Sequence, residues 1–176
     1  MKIVRFDALK AVPWKNGLGI TRELAVEPAG ASMDDFAWRV SIADVDTASP
    51  FSTFPGIDRT IVLLDGAGFT MVLDGEREHA LTTPCEPFPF PGEAKVDVRL
   101  AGGATRDFNL MVRRGVGTAH LKVLQGPADF ENVKIAYIVK GSGIADGEPV
   151  QPGDSIFDGK TIHLDADTQA LAILLA

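Results

Sequence analysis

The sequence has few of the residues that build metal centres and disulfide frameworks. It contains one cysteine, Cys85, and three histidines, at positions 79, 120 and 163. A single thiol excludes an intrachain disulfide and any Cys-rich zinc or iron–sulfur site. Neither GxSxG nor HExxH occurs, and Cys85 has no local base, so no catalytic nucleophile is recognisable. We expect the histidines to be structural or exposed, and we expect no metal and no other cofactor.

Basic residues are in deficit, and long apolar runs are missing. Lys and Arg number 17 against 24 Asp and Glu, which gives a formal net charge of −7. An acidic chain repels phosphate at long range, so nucleic acid is disfavoured as a partner, although a local cationic pocket stays compatible with this charge. No segment approaches the ~18 apolar residues of a membrane helix, and the N-terminus lacks a signal-peptide pattern. We therefore expect a cytoplasmic protein without a membrane partner.

Glycine and proline, by contrast, are abundant and occur along the whole chain, with 18 Gly and 11 Pro. The apolar runs between them are about five to eight residues long and alternate with period two, which is typical of strands. We predict an all-β protein. The predicted strands cover residues 36–44, 59–65, 69–74, 76–81, 95–100, 107–113, 134–140, 154–158, 160–164 and 168–175, with a tight hairpin turn at Asp74-Gly75.

Parts of the sequence occur twice in the same order. The corresponding segments are 61–68 with 136–143, 90–98 with 157–164, and 107–112 with 170–175. Such a duplication predicts two small antiparallel β-barrels that bury each other's edges. The alternative is that GxG turns simply recur in a β protein. We predict a first barrel with an extension in residues 1–115 and a smaller second barrel in residues 116–176.

Candidate ligand-binding residues concentrate in the first half, because all nine arginines and both tryptophans lie within residues 1–114. Segment 13–23, PWKNGLGITRE, interleaves glycines with an aromatic ring, cations and hydrogen-bond donors. We predict a loop, which is not a phosphate loop because the GxxxxGK[ST] spacing is absent. It either binds a ligand or is a glycine-rich loop with a tryptophan lid and a surface Arg–Glu pair. Its candidate residues are Trp14, Lys15, Asn16, Thr21, Arg22 and Glu23.

A second candidate lies on the predicted strand 36–44. If Trp38 faces a core, then Arg39 and Ser41 face either solvent or the barrel interior. An arginine inside a barrel must be paired or must bind an anion, because an unpaired buried charge is very costly. The sequence leaves both orientations open.

The third candidate is the segment 50–59, PFSTFPGIDR, which leads Asp58 and Arg59 into the most apolar strand of the chain. The guanidinium of Arg59 can present a planar fork to a carboxylate or phosphate. Asp58 could instead pair with Arg59 and make it structural. We favour an anion site.

The fourth candidate is the polar row on the predicted strand 107–113. Period-two spacing places Asp107, Asn109, Met111 and Arg113 on one face of the sheet. A solvated outer face is the alternative, since antiparallel sheets often have one. The methionine within the row favours the interior.

Together, the segments PWKNGxGxTREL, WRxSxAxV, PFSxFPGxDR and DFNLMxRR resemble the HutD/Ves family over almost the whole chain. The resemblance implies an all-β bicupin fold, which is two small antiparallel barrels of the RmlC-like cupin type. It also implies a link to bacterial histidine utilisation, in which a pathway carboxylate such as formylglutamate, urocanate or formate is bound. A role in governing or regulating the pathway is implied as well.

The resemblance extends to the candidate residues, and the chain departs from the family pattern at Leu18. It implies Arg59 as the direct anion contact, with Trp14 and Phe51 as apolar walls. Asp107, Asn109 and Arg113 would form the far wall or hold the arginines. The motif residues are Trp14, Lys15, Asn16, Thr21, Arg22, Glu23, Trp38, Arg39, Ser41 and Arg59. Leu18 replaces a glycine of the N-G-G-G loop that is usual in the family. The HxHx(3,4)ExG motif of metal-dependent cupins is absent, and we therefore predict no metal.

Three functional hypotheses follow. The first is a metal-independent binding protein for a small carboxylate with a regulatory role in histidine utilisation. The second is a metal-free isomerase or lyase acting on a small acid or sugar, which needs a base such as Glu23 beside a cation. The third is an assembly module whose sheet forms a homodimer. The sequence does not decide whether the protein is an enzyme.

Overall fold

The computed structural model describes residues 1–175, which form sixteen β-strands and one short 3₁₀ helix, Phe6–Ala8. This part of the chain contains no α-helix, and all of its strand pairs are antiparallel. The all-β prediction is confirmed. None of these residues belongs to a helix long and apolar enough to span a membrane.

The chain divides into two compact units, and we call residues 10–117 the central unit. Its strands are β2 Ala11–Pro13, β3 Gly19–Glu27, β4 Trp38–Val45, β5 Ile57–Asp65, β6 Phe69–Leu73, β7 Arg77–Leu81, β8 Phe88–Pro91, β9 Val96–Leu100 and β10 Thr105–Arg113. They form a six-stranded sheet in the order β2-β3-β4-β10-β5-β8 and a three-stranded sheet in the order β7-β6-β9. In the larger sheet β2, β3 and β4 are consecutive in the sequence, whereas β10, which lies between β4 and β5, comes from a distant part of the chain.

The core of the central unit lies on one face of β5 and continues into the smaller sheet. Ile61 and Leu63 project from β5 onto this face, and both are fully buried. They pack in one cluster with Phe69, Met71, Leu73, Leu81, Phe90, Ala94, Val96 and Val98. The alternating apolar residues of β5, β6, β7, β8 and β9 therefore meet in one cluster, and a second, smaller cluster contains Phe36, Ile57 and Met111.

The terminal unit consists of residues 1–9 together with the chain from residue 118 onward. Its strands are β1 Lys2–Val4, β11 Ala119–Gln125, β12 Ala128–Lys140, β13 Gly143–Ala145, β14 Glu148–Val150, β15 Ser155–Leu164 and β16 Gln169–Leu175. The sheet order is β11-β16-β12-β15-β13-β14, and β1 pairs with β15. The first nine residues, which the sequence analysis assigned to the first barrel, thus belong to the same unit as the C-terminal strands.

The two units repeat one order of strand pairing. In the central unit β10 pairs with β5, which pairs with β8, while β6 pairs with β9. In the terminal unit β16 pairs with β12, which pairs with β15, while β15 also pairs with β13. The long strand β15 occupies the places of both β8 and β9. The corresponding strands of the two units overlap the segments that occur twice in the sequence: 61–68 with 136–143, 90–98 with 157–164, and 107–112 with 170–175.

Several predicted boundaries need correction. The loop predicted over residues 13–23 ends at Leu18, because β3 begins at Gly19 and carries Thr21, Arg22 and Glu23. The predicted strands 154–158 and 160–164 are one strand, Ser155–Leu164, in which Asp158 has a positive φ of 54°. The Asp74-Gly75 hairpin is confirmed, with φ of 53° and 73° at its two residues.

Candidate functional site

Polar side chains from three strands share one face of the six-stranded sheet. Residues that lie directly opposite each other in paired strands project to the same side. Across β4, β10 and β5, Arg39 is opposite Met111, and Met111 is opposite Arg59. The next positions align Ser41 with Asn109, and then Ala43 with Asp107. The candidates from segments far apart in the sequence therefore converge, and we call this set the Arg59 cluster: Arg39, Ser41, Arg59, Asp107 and Asn109.

Arg59 is buried without an ion pair. It is 8% exposed, and its Nε and Nη2 both donate to Oδ1 of Asn109, at 3.3 and 2.9 Å. Its Nη1 makes no hydrogen bond with any residue between 1 and 175, and the guanidinium pairs with no carboxylate in that range. Asp58, the predicted competitor, faces away and binds Arg114 at 2.7 Å. Arg59 thus keeps one donor nitrogen and has no carboxylate in direct contact within residues 1–175.

Three phenylalanine rings surround the guanidinium of Arg59. Its carbon Cζ lies 4.9 Å from the ring centre of Phe90, 5.3 Å from Phe51 and 5.5 Å from Phe54. These distances are within the range of cation–π attraction, which offsets part of the cost of removing the charge from water. Burial lowers the pKa of Arg59 to about 10, with Asp107 opposing the shift and Arg39 adding to it. Arg59 therefore stays charged at neutral pH.

Asp107 is linked to Arg59 through the amide of Asn109. The Nδ2 of Asn109 donates to Oδ1 of Asp107 at 3.0 Å. Because an arginine only donates and an ionised carboxylate only accepts, this orientation of the amide is the one that satisfies both neighbours. The second oxygen of Asp107, Oδ2, is buried and has no hydrogen-bond partner. Burial raises the pKa of Asp107 to about 7, against the hydrogen bond from Asn109 and the charge of Arg59.

Arg39 lies at the more exposed end of the Arg59 cluster. Its Nε donates to Oε2 of Glu23 at 2.8 Å, and its Nη1 donates to Oγ of Ser41 at 3.3 Å. The Arg39 side chain is 14% exposed, whereas that of Glu23 is 44% exposed. Glu23 therefore neutralises Arg39, whereas Arg59 has no carboxylate in contact among the described residues.

The turn between β2 and β3 brings Trp14 close to the same face. The Nε1 of Trp14 donates to Oγ1 of Thr21 at 2.8 Å, and Thr21 is opposite Ala43. Gly17 supplies the positive φ that the turn requires, at 72°, whereas Leu18 does not have a positive φ. The backbone therefore has no need of glycine at position 18.

The other polar residues of this turn contact its own backbone and a neighbouring loop. Asn16 donates to Oγ of Ser49 at 3.2 Å and accepts from the amide of Leu18 at 3.0 Å. Lys15 is exposed. Neither residue makes a hydrogen bond with a member of the Arg59 cluster in the part of the chain that the structure describes.

Three further candidates lie outside the Arg59 cluster. Trp38 and Arg22 project from the opposite face of the sheet, where Arg22 donates to Oδ2 of Asp44 at 2.6 Å. Arg113 donates to the backbone oxygens of Phe36 and Asp34, at 2.8 and 2.7 Å, and closes a loop. These contacts indicate a structural role for Arg22 and Arg113.

The opposite face does not suit an anion. Burial tends to raise the pKa of Asp44, but hydrogen bonds from Arg106 and Arg22 outweigh it, and the pKa lies below its usual range. An open cavity of about 260 Å³ beside this group is lined by Ile20, Asp44, Asp46, Asp65, Ala104, Thr105 and Arg106. Its acids outnumber its single arginine. The Arg59 cluster is therefore the better candidate for an anion.

Within residues 1–175, no group of three or more His, Cys, Asp or Glu side chains is arranged to hold a metal ion. His79 stacks on Phe88 with ring centres 3.6 Å apart, and His163 contacts Asp129 at 2.8 Å. Cys85 is buried. The absence of a metal in the functional protein stays a prediction.

Comparison with known proteins identifies the family. The HutD family model matches residues 7–172. The chain belongs to the HutD family. A relative from Pseudomonas putida, named as an uncharacterized 21.2 kDa protein in the hutC 3' region, is 41% identical over 111 residues, which are 63% of this chain and 57% of that protein. Protein Ves of Cronobacter sakazakii is 38% identical over 124 residues, 68% of this chain and 66% of that protein. The chain thus spans less than two thirds of the length of these relatives.

Solved structures agree with the family and define the fold. A structure of HutD from Pseudomonas fluorescens SBW25, determined in a formate condition, is similar with a TM-score of 0.83 at 29% identity, over 99% of this chain and 98% of that chain. A Cupin 2 conserved barrel domain protein from Leptotrichia buccalis is similar with a TM-score of 0.61 at 11% identity, over 99% and 96% of the two chains. This member of the HutD family is therefore cupin-like in fold.

Two residues that contact Arg59 in this HutD protein were missed as candidates. Phe54 lies in the segment 50–59, and the two prolines and two phenylalanines of this segment are a signal from which it could have been identified. Phe90 is opposite Arg59 in the pairing of β5 with β8. Nothing in the local sequence around Phe90 indicates that partner, because the register is set by contacts between distant segments.

Proposed function

We propose that the central unit binds a small carboxylate of the formylglutamate, urocanate or formate class at Arg59, without a metal, and that the protein governs or regulates histidine utilisation. The observation that carries the binding proposal is the buried guanidinium of Arg59, which has no carboxylate in contact within residues 1–175. A buried guanidinium without a carboxylate partner is costly, and a bound anion would offset that cost. Nη1 has no partner within residues 1–175 and is free to donate to the anion.

The surroundings of Arg59 favour contact with one planar carboxylate group, which formate, urocanate and formylglutamate all carry. Phe51, Phe54 and Phe90 occupy the space around the guanidinium, which leaves little of it exposed. In such a dry environment the attraction between Arg59 and an anion is much stronger than in water. We propose that the anion enters from the side of Arg39, where Glu23 is the most exposed group.

The fold and the relatives support the finer parts of the proposal. The repeated pairing order and the cupin-like neighbours support two barrels in one chain, and we propose that the first of them holds the ligand. The relative from the hutC 3' region and the HutD structure support a link to histidine utilisation. Small ligands commonly bind in the mouths of β-barrels.

Ligand binding by the full chain tests the proposal. Formate, formylglutamate and urocanate are each titrated by calorimetry and in thermal-denaturation scans. A ligand at 100 times its Kd should add about 2.7 kcal/mol to the free energy of unfolding. Arg59→Gln should weaken binding by a factor of about 30 or more, since truncating a buried charged contact costs at least about 2 kcal/mol.

Two further variants keep the test decisive. Arg59→Lys retains the charge and loses the planar fork, so it should fold and bind more weakly. Arg99→Gln is the matched control, because Arg99 is an exposed arginine that pairs with Glu78. Equal binding by wild type, Arg59→Gln and Arg59→Lys would overturn the proposal, as would no binding of any of the three carboxylates. Conversion of a bound carboxylate to product would instead favour the metal-free isomerase or lyase.

A further inference from the structure

The second oxygen of Asp107, which is buried and unpartnered beside the proposed site, carries a further inference. We propose that binding of the carboxylate at Arg59 is coupled to the uptake of one proton by Asp107. The inference rests on the proposed function, since it assigns a pH dependence to that same site. Asp107 acts here as a positioning residue, because Asn109 stands between it and Arg59.

Two arginines belong to the Arg59 cluster, but Glu23 neutralises Arg39. Arg59 is therefore the positive charge of the cluster that stabilises ionised Asp107. Asn109 accepts from Arg59 at 2.9 Å through Oδ1 and donates to Asp107 at 3.0 Å through Nδ2, so one amide connects the two charges. Directly opposite Asp107 lie Ala43 on β4 and Leu63 on β5, and both are apolar. Neither neighbour can donate a hydrogen bond to the unpartnered Oδ2 of Asp107.

The charged groups around Asp107 are few. Arg59 on β5 favours its ionised form, and Asp44 on β4 disfavours it slightly. The charge of Asp44 is itself held by Arg22 and Arg106. The one histidine of the central unit, His79, stacks on Phe88. With burial dominant, the pKa of Asp107 is about 7, so the carboxyl is poised to change its protonation near neutral pH.

A bound anion shifts this balance in one direction. Its negative charge occupies Arg59 and repels the charge of Asp107, so the ionised form of Asp107 loses the stabilisation that the charge of Arg59 gives it and keeps only the hydrogen bond from Asn109. Asp107 then takes a proton from the buffer, and the product is the anion on Arg59 with a neutral Asp107. Affinity for the anion should rise as the pH falls from 8 to 6, by at most about tenfold per pH unit for one proton.

Calorimetric titration of the full chain with formate tests the coupling. Formate is ionised throughout this pH range, so the ligand itself contributes no titration. Titrations at pH 7 in buffers of different ionisation enthalpy measure the number of protons taken up, which should be at most about one half for a group that is half protonated before binding. The affinities for formate at pH 6 and pH 8 measure the expected decrease in affinity with rising pH.

Variants assign the proton to Asp107. Asp107→Asn mimics the neutral carboxyl, so it should bind formate with one affinity from pH 6 to 8, bind more tightly than wild type at pH 8, and take up no proton. Asp46→Asn removes the same charge from an exposed position and should keep the wild-type pH dependence. His79→Gln should also keep it.

The outcomes separate the two proposals. Formate binding without proton uptake, or uptake that persists in Asp107→Asn, overturns the coupling and leaves the anion site standing. No formate binding at any pH overturns the coupling, and no binding of formylglutamate or urocanate either removes the anion site as well. Carbon-detected NMR of the wild-type protein gives a reading that needs no variant: saturation with formate should raise the titration midpoint of the Asp107 carboxyl, and an unchanged midpoint overturns the coupling.

Discussion

Arg59 directs two of its nitrogens to a single oxygen of Asn109, rather than to the carboxylate of its sequence neighbour Asp58 or to the buried Asp107. A neutral acceptor satisfies donors without cancelling charge. Asn109 therefore orients the guanidinium and preserves its attraction for an anion. The same amide lies between Arg59 and Asp107, so the two opposite charges influence each other without forming a contact pair.

Asn109→Asp should convert this arrangement into a closed ion pair. The new carboxylate would stand where the amide oxygen now lies, 2.9 Å from Nη2 of Arg59. Close buried charge pairs couple by about 1.5 kcal/mol or more, so the affinity for formate should fall by at least about tenfold. Calorimetric titration measures the change. Asn132→Asp, in the terminal unit, introduces the same substitution elsewhere and should leave affinity unchanged; an equal loss in both variants would contradict this role of Asn109.

Phe51→Leu should weaken the site by admitting water to Arg59. The ring of Phe51 lies 5.3 Å from Cζ of Arg59 and packs edge-on against Phe69. Loss of the cation–π contact and of ring packing should lower the free energy of unfolding by about 1–2 kcal/mol. Formate affinity should fall as well, because hydration screens the charge.

The control for Phe51→Leu is Phe88→Leu. Phe88 is also partly buried, but its ring stacks on His79 and Phe90 instead of on Arg59. Urea denaturation should show destabilisation in both variants, whereas calorimetry should show weaker formate binding in Phe51→Leu alone. Equal affinities in the two variants would mean that the ring of Phe51 contributes only packing.

Much of the Arg59 cluster follows from period-two alternation. Alternation places Asp107, Asn109 and Met111 on one face and separates Arg39 and Ser41 from Trp38. It also decides the question that the sequence analysis left open for Asp58. Successive residues of a strand point to opposite faces, so Asp58 faces away from Arg59 and pairs with Arg114.

Other features depend on which strands become neighbours, and local sequence does not contain that information. Phe90 reaches Arg59 only because β8 pairs with β5 in one particular register. Arg22 lies on β3, although the glycines of segment 13–23 favoured the prediction of a loop there. Its partner Asp44 belongs to β4. The raised pKa of Asp107 results from burial by the assembled sheet, which no local pattern reveals.

Gly19→Ala tests how the turn holds Trp14 over the sheet. A Cβ at position 19 would lie 2.7 Å from the backbone oxygen of Asp44 and 2.9 Å from the ring of Trp14. Since the backbone of β4 cannot yield freely, the overlap should cost about 1–3 kcal/mol and shift the tryptophan fluorescence. Gly103→Ala is the control, because a Cβ there meets nothing within 4 Å and its φ is not positive. Equal stabilities of the two variants would contradict the close packing of Trp14.

The pH dependence of stability provides a separate check on Asp107 that needs no ligand. Its pKa rises from an ordinary 3.8 to about 7 on folding, chiefly because of burial. Between these values the folded chain keeps a proton that the unfolded chain has released, so raising the pH favours unfolding. The full destabilisation, on the order of 4 kcal/mol, is present above pH 7 and absent below pH 4.

Asp107→Asn removes this titration, since the amide stays neutral at every pH. The variant should therefore match wild type most closely near pH 4, and its advantage in free energy of unfolding should grow as the pH rises to 8. Urea denaturation at one-unit pH intervals measures both proteins, and Asp46→Asn controls for the lost charge at an exposed position. A difference between Asp107→Asn and wild type that stays constant with pH would show that Asp107 ionises equally in the folded and unfolded chains. In that case its burial would have no electrostatic consequence, and the proton-coupled site would have no physical basis.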